Sequence, residues 1–446
     1  MNVFDKLWNY ILNLFGKQPI DQKAEKSNSD YRDKYEDVSK ISFVSILATS
    51  LSKRAVSDST MTVKDAAGKD SRRSDWIAEG LKQVWSKNES IVAQALGKGG
   101  KVLIPYVVNG RAYVDAIDQF RMRITAVRGD EITGATIIAD TAIKDGKPVY
   151  RLVDYTLESG VHTILNRAAT GSGNPVELTD IPEWAGIEPE IVINNVEHVL
   201  FGFLKCPTDG REDVQRYGVP ITYGADDVIQ DLYTCLEDMR QEYRLKKPFV
   251  GLDETMFGKD NQLARDGLFK LFSGMGLSNN NLWEVYDPAI RDSSYLARFQ
   301  HLCSLLESAV GVSPGILTEP RTANATATEI KQANAETFAY IDAIRVNVET
   351  AFNQLAYALD VLAEFSGATP AGAMGDWQIT WDWDMSMMES STETFNQLSE
   401  LESRGLILPE RLVSYVTGMD LDAAKQEVEA AQALQPKTVD SLLMEE

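Results

Sequence analysis

The sequence predicts an α+β chain in which a β-rich block stands between helical segments. Three observations carry this. Between residues 101 and 166 short runs of alternating polarity are cut by turn pairs, with Asn109-Gly110 the clearest. On either side of that block, apolar residues recur at intervals of three and four. One such run, opening at Thr326, continues without a break for nearly forty residues. A chain of 446 residues with 44% hydrophobic content has material for two or three domains with real cores.

The elements follow in order. The opening MNVFDKLWNYILNLFG places Phe4, Leu7, Trp8, Ile11 and Phe15 on one side of a short amphipathic helix. Asn9 and Asn13 interrupt its apolar run and no small-residue cleavage site follows, so a signal peptide is not expected. Residues 17–31 read as a polar linker, and helices are expected near 33–54 and 73–97. The stretch GKGGK (97–101) departs from a nucleotide-binding loop, because Val102 stands where that loop needs a hydroxyl. It reads instead as a helix end entering a strand. Strands are expected at 101–108 and 111–117, joined by Asn109-Gly110, then at 131–138, 149–156 and 161–166, within a β-rich region 100–205.

A helix over 224–247 carries Val228, Leu232, Leu236, Met239 and Tyr243 at helical spacing. Asp226 and Asp227 lie in its first turn and Arg244, Lys246 and Lys247 in its last, which suits the macrodipole. Residues 248–291 have mixed periodicity broken by glycines. A second helix fits 292–310, with Leu296, Phe299, Cys303, Leu306 and Val310 on one face. A small-residue loop, 311–326, leads to Thr326 and Glu329, a capping box. The helix behind it, 327–365, would be about 58 Å long, with Ile341, Ile344, Val348, Ala351, Leu355, Ala358 and Leu362 forming its seam. WQITWDWD (377–384) alternates as a half-buried strand, and 390–434 form two or three acidic helices.

Charge and chemistry narrow the function. Forty-four basic and 66 acidic residues give a net charge of −22, which argues against a broad grip on duplex phosphate. The asymmetry is internal: residues 1–130 hold 21 basic and 16 acidic residues, 131–446 hold 23 and 50. Cys206, Cys235 and Cys303 make no metal or redox spacing and read as buried, reduced thiols. His162, His198 and His301 lie in different elements, without ligand spacing. Asp382 and Asp384 could form a carboxylate pair beside tryptophans, a carbohydrate-active site; alternation instead puts both on a solvated face. No catalytic residue, metal or cofactor is expected, and no apolar run approaches the roughly 18 residues of a membrane span.

Three stretches, in order, resemble the portal proteins of tailed bacteriophages, in the branch found in siphophages and prophages of Gram-positive bacteria. DPAIRDSSYLARFQHLCSLLESAVGVSP (287–314) is similar to that branch's P-x-I-R and the helix ending in a G-[VL]-S turn. TATEI (326–330) is its most recognisable word, and WDWDMSMMESSTETFNQLSELESRGLI (381–407) resembles its aspartate-bearing strand and following helix. The resemblance covers residues 75–446 and implies a wing over 1–223, stem helices at 224–247 and 292–310 and a clip at 248–291. It further implies a tunnel loop at 311–326, a long wing helix and return strand at 327–389, and a crown with C-terminal tail at 390–446.

It also implies a twelve-subunit ring at one capsid vertex, through which double-stranded DNA is packaged and ejected. Partners would be the terminase large subunit, the major capsid and scaffolding proteins and head–tail adaptors; the place would be the virion, and the host cytoplasm during assembly. The tunnel-loop residues would be Thr318, Glu319, Pro320, Arg321, Thr322 and Asn324, with Arg244, Lys246, Lys247 and Arg321 as transient phosphate contacts. Ile341, Ile344, Val348, Leu355 and Leu362 would be buried between neighbouring subunits. Another head or connector protein, such as a minor capsid subunit, is the alternative, and the carbohydrate-active enzyme a remote one.

Overall fold

The computed structural model describes residues 41–211, 216–245, 249–253, 269–272, 283–286, 289, 291–319, 334–368, 370, 372–384, 398–417, 419 and 421–434. The chain divides into two compact units, residues 1–57, 61–324 and 333–380, and residues 58–60, 325–332 and 381–446. The fold is mixed α and β, as the sequence predicts.

In the first unit, α1 (Phe43–Val56) starts where the Ser42 hydroxyl accepts the Ser45 N–H, 3.1 Å away. β1 (Thr60–Lys64) follows, then α2 (Arg72–Trp85), opened by a reciprocal Ser71–Ser74 capping box. The expected helix 73–97 is broken at Ser86 and Lys87, after which α3 (Asn88–Lys98) begins. The Asn88 side chain turns back at this break to donate to the Val56 carbonyl, 3.2 Å away. Gly99 ends α3 in the left-handed region, with φ 94°, so GKGGK is a helix end running into β2 (Gly100–Val108). Gly218 touches this corner so closely that a Cβ there would lie 1.9 Å from the Gly99 carbonyl oxygen.

β2 pairs antiparallel with β3 (Arg111–Asp118) through Asn109 and Gly110, whose φ values of 52° and 75° make the expected primed turn. β10 (Gly202–Lys205) covers the other side of β2. A larger antiparallel sheet runs β4 (Met122–Arg128), β5 (Glu131–Lys144), β6 (Lys147–Glu158), β7 (Val161–Thr170), β8 (Pro175–Val176), with β9 (Glu190–Asn194) also on β7. Asp145-Gly146 and Ser159-Gly160 are primed turns as well. Core residues from both sheets, among them Val102, Ile124, Ile137, Val153 and Phe201, meet Ala358 and Val361 of the long helix.

Two antiparallel helices, α4 (Asp226–Leu245) and α5 (Asp292–Val310), bracket a three-stranded sheet of β11 (Phe249–Asp253), β12 (Phe269–Phe272) and β13 (Trp283–Tyr286). The buried stripe of α4 is Ile229, Leu232 and Cys235, offset from the expected one, and Tyr243 is exposed. On α5, Leu302, Cys303, Leu306, Glu307 and Val310 are buried, whereas Leu296 faces solvent. Only the half of α5 nearer its C-terminus sinks into the unit, so a face drawn along its whole length overreaches.

The long helix α6 (Ala335–Phe365) has 31 residues, about 46 Å; the expected capping box at Thr326 and Glu329 lies outside the described residues. Its seam corrects one expectation. Ile341, Ile344, Val348 and Leu355 are at most 1% exposed within a single chain. Leu362 packs against the sheet core. Their neighbours are β10, β2, α1 and α2, so the seam is an interior of this chain and not a surface between subunits. The fit to β10 is close: the Gln354 carbonyl accepts the Phe203 N–H at 2.9 Å, and the Asn347 amide donates to the Lys205 carbonyl at 3.0 Å. Side-chain amides thereby satisfy a strand edge that would otherwise be open. A Cβ at Gly202 would meet the Ala351 carbonyl at 2.5 Å, so glycine is required there.

β14 (Gln378–Asp382) pairs with β1 and keeps the predicted alternation. In the second unit the Trp381 and Trp383 rings stack at 5.0 Å, and the Asp384 N–H donates to the Ser59 hydroxyl. α7 (Pro409–Thr417) and α8 (Leu421–Leu434) pack together with Ala424 buried. Among the described residues no helix is long and apolar enough to cross a membrane.

Candidate functional site: a clamped helix pair and the root of a loop

Where α4 ends and α5 begins, the helix pair is closed by a polar clamp. Arg291 donates to both carboxylate oxygens of Glu242, at 3.2 and 2.8 Å, and Tyr295 adds a hydroxyl contact at 3.4 Å. Beside it the Tyr243 hydroxyl donates to Asp292 at 2.5 Å. Glu242 is buried although Arg291 is open to solvent. A forked guanidinium on a carboxylate fixes direction as well as distance, so the clamp sets the angle at which the chain leaves and re-enters the pair. Arg244 lies in this last turn, exposed. Lys246 and Lys247 are outside the described residues.

At the other end, α5 delivers Glu307 into the first unit, fully buried. The chain turns at Gly311, φ 80°, then wraps round this carboxylate. One Glu307 oxygen accepts backbone N–H groups from Gly315 (3.1 Å), Ile316 (2.8 Å), Leu317 (2.7 Å) and Thr318 (3.3 Å), and the other takes the Thr318 hydroxyl at 2.7 Å. Burial alone would raise the carboxyl's pKa. The donors from Leu317, Thr318, Ile316 and Gly315 outweigh it and hold Glu307 below the usual carboxylate range. The neighbouring Cys303 thiol, pushed up to about 11 chiefly by burial, stays protonated. Ser313 donates its N–H to Thr337 on α6 at 2.9 Å, so the loop root is tied to both helices it joins.

Residues 311–319 are therefore the described part of the predicted loop, and Thr318 and Glu319 are the expected tunnel-loop residues within it. With Gln300, His301 and Ser304 they line a shallow polar cavity of about 340 Å³. Pro320, Arg321, Thr322 and Asn324 fall outside the described residues. Arg244 and the loop root are not brought together: from Asp292, beside Arg244's turn, to Glu307 is fifteen residues of helix, about 22 Å. Sequence reasoning missed Glu307, although a signal was present. It stands one turn from Cys303 and Val310 on the apolar face of α5, where an acid must be paired or solvated by donors.

A second buried charge braces the long helix. Arg73 of α2 donates to Asp360 at 2.5 Å, to Glu364 at 2.7 Å and to the Gly372 carbonyl at 3.1 Å. The other Asp360 oxygen accepts the Gly375 N–H and the Trp377 indole, at 2.7 and 3.1 Å. Burial works to lower the Arg73 pKa, but Glu364 and Asp360 raise it above its ordinary value. The histidines separate as expected from their spacing. His162 is buried, lowered by burial to about 4 and hence neutral; His198 contacts Glu131, and His301 lies by the loop root. All three cysteines are free and buried. No group of three metal-ligating side chains occurs among the described residues.

The fold thus defines an α+β chain built on a clamped helix pair, a pinned loop root and a braced long helix. No family model matches the sequence, and no curated protein matches it. Among solved structures, a chain from one described as "Neck of empty GTA particle computed with C6 symmetry" aligns over 84% of this chain and 90% of its own, with 12% identity and a TM-score of 0.39. A likeness at that level bears on neither fold nor function.

Proposed function

We propose that this chain is a portal subunit, a non-enzymatic ring component that conducts double-stranded DNA through one vertex of a phage capsid. The three ordered stretches of the sequence support this reading, and the observation that carries it is the loop root. An antiparallel helix pair brackets a separate insert, and its second helix runs into a backbone turn pinned on Glu307 before the long helix starts. Such a root pins the first residues of a small, polar stretch to the end of a helix. A loop beside moving DNA needs that combination: an immobile base, and a tip that does not grip. The acidic chain, −22 overall, keeps phosphate contacts sparse and transient.

In this reading α4 and α5 are the stem, the insert is the clip facing the packaging motor and later the adaptors, and Arg244, Lys246, Lys247 and Arg321 make the transient contacts to DNA. Replacing Arg321 with Glu should leave ring assembly unchanged while altering DNA packaging or retention in capsids that carry the variant. Subunits that fail to assemble would contradict the assignment of Arg321 to the loop.

A further inference from the structure

Two features of the larger sheet, at opposite ends of β5, have no partner among the described residues that would explain them. The first is the β5–β6 tip. Ile143 is 80% exposed, the most exposed large apolar side chain among the described residues. The tip is rigid: Asp145 and Gly146 make a primed turn, Lys144 pairs with Asp180 at 2.8 Å, and the Trp184 indole donates to Asp140 at 3.0 Å. Lys147 and Pro148 beside it are exposed.

The second is a half-open cleft of about 690 Å³ between the start of β5 and the wall of α6. Ile132, Val199, Phe203, Tyr357 and Trp377 supply its apolar lining; exposed Asp130 and half-buried Glu131, which contacts His198, form its acidic rim, with Lys205 the one lysine on the lining. It too is preformed: the Tyr357 hydroxyl accepts the Glu197 N–H at 2.8 Å and its ring meets His198 edge-on at 5.2 Å. A rigid apolar knob flanked by a lysine suits an apolar cleft with an acidic rim, since neither side loses much freedom on docking.

We infer that the β5–β6 tip of one chain docks in this cleft on a second copy, with Ile143 seated on the aromatic lining and Lys147 facing Asp130 and Glu131. The inference rests on the ring reading above and gives it a specific contact. Along β5 the cleft and the tip are twelve residues apart, about 40 Å, so the tip of a chain cannot reach that chain's own cleft. Two different patches that meet make a head-to-tail contact, which closes into a ring when the rotation permits.

The test mixes two full-length variants, Ile143→Cys and Asn353→Cys, the latter on the exposed α6 wall of the cleft, and treats them with a short bis-maleimide. A mixed cross-linked dimer is expected, with neither variant alone giving one. Ile143→Asp, at an exposed site that folding does not need, should lower ring formation roughly tenfold at fixed concentration. Undiminished rings from Ile143→Asp with no mixed cross-link would overturn this contact and leave the ring reading standing. Dimers from Ile143→Cys alone would mean a symmetric contact and also overturn it. A wild-type chain that forms no ring even when co-expressed with capsid and scaffolding proteins would remove the ring reading, and this contact with it.

Discussion

Replacing Leu355 with Asp is expected to abolish folding of the chain itself, not merely its association. Leu355 is 0% exposed, and its Cβ would stand 3.2 Å from a Cβ built at Gly202. Losing a core leucine costs about 2–5 kcal/mol through transfer and cavity terms. Placing an unpaired carboxylate there adds several more. The sum is comparable with the roughly 5–15 kcal/mol by which a whole domain is stable. The circular dichroism melt of the purified variant discriminates two accounts of the seam. If the seam is interior, as its burial in one chain requires, the variant lacks a cooperative melt or is insoluble. A soluble chain with a native-like melt that only fails to form rings would return the seam to the subunit interface.

The Arg73 site carries the second large effect. Arg73→Met should destabilise the first unit by about 3–5 kcal/mol, because it leaves the Asp360 carboxylate buried without its cation. Asp360 would keep the Gly375 and Trp377 donors, but both come from the segment that Arg73 also holds through the Gly372 carbonyl. Loss of the cation therefore loosens the return towards β14 as well. Glu364, partly exposed, can turn to water and adds little. Arg73→Met combined with Asp360→Leu should recover much of the loss, since a packed apolar pair avoids the desolvation of both ions. Urea unfolding of the three variants checks this; a single-variant shift below about 1 kcal/mol, or no recovery in the double variant, would show that the pair does not brace the helix.

The division between what was and was not legible in the sequence has a physical cause. Local rules worked where the signal is local. Asn109-Gly110 and Asp145-Gly146 specify primed turns because few other residues tolerate positive φ at both positions, and the hairpins follow from them. Gly99 ended its helix for the same reason. The extent of α5 was legible from its periodicity, and β14 from its alternation of tryptophan and polar residues. What failed needs knowledge of the third dimension. Ile341 through Leu362 announce an apolar seam, yet nothing in their spacing says whether β10 or another subunit covers it. The buried stripe of α4 lies along Ile229, Leu232 and Cys235, offset from the expected face, and spacing alone does not say which neighbour covers it.

The charged sites failed for a related reason. Glu307 and Asp360 each interrupt an apolar face, which marks a buried acid without naming its partners. For Glu307 the partners are four backbone N–H groups and a hydroxyl, groups that carry no residue-type signal except Thr318. For Asp360 the partner is Arg73, 287 positions away. The Ser159-Gly160 turn was missed although it obeys the same rule as its neighbours, since serine is a rarer first residue of such turns.

The measurement that bears most directly on the central claim is the mass of the assembled wild-type chain, by native mass spectrometry, with images of the same sample. Twelve copies of 49.5 kDa give about 590 kDa, and the account predicts a closed ring at or near that mass with a hole along its axis. A chain that stays at 49.5 kDa even when co-expressed with capsid and scaffolding proteins, or an assembly without a central hole, would contradict it.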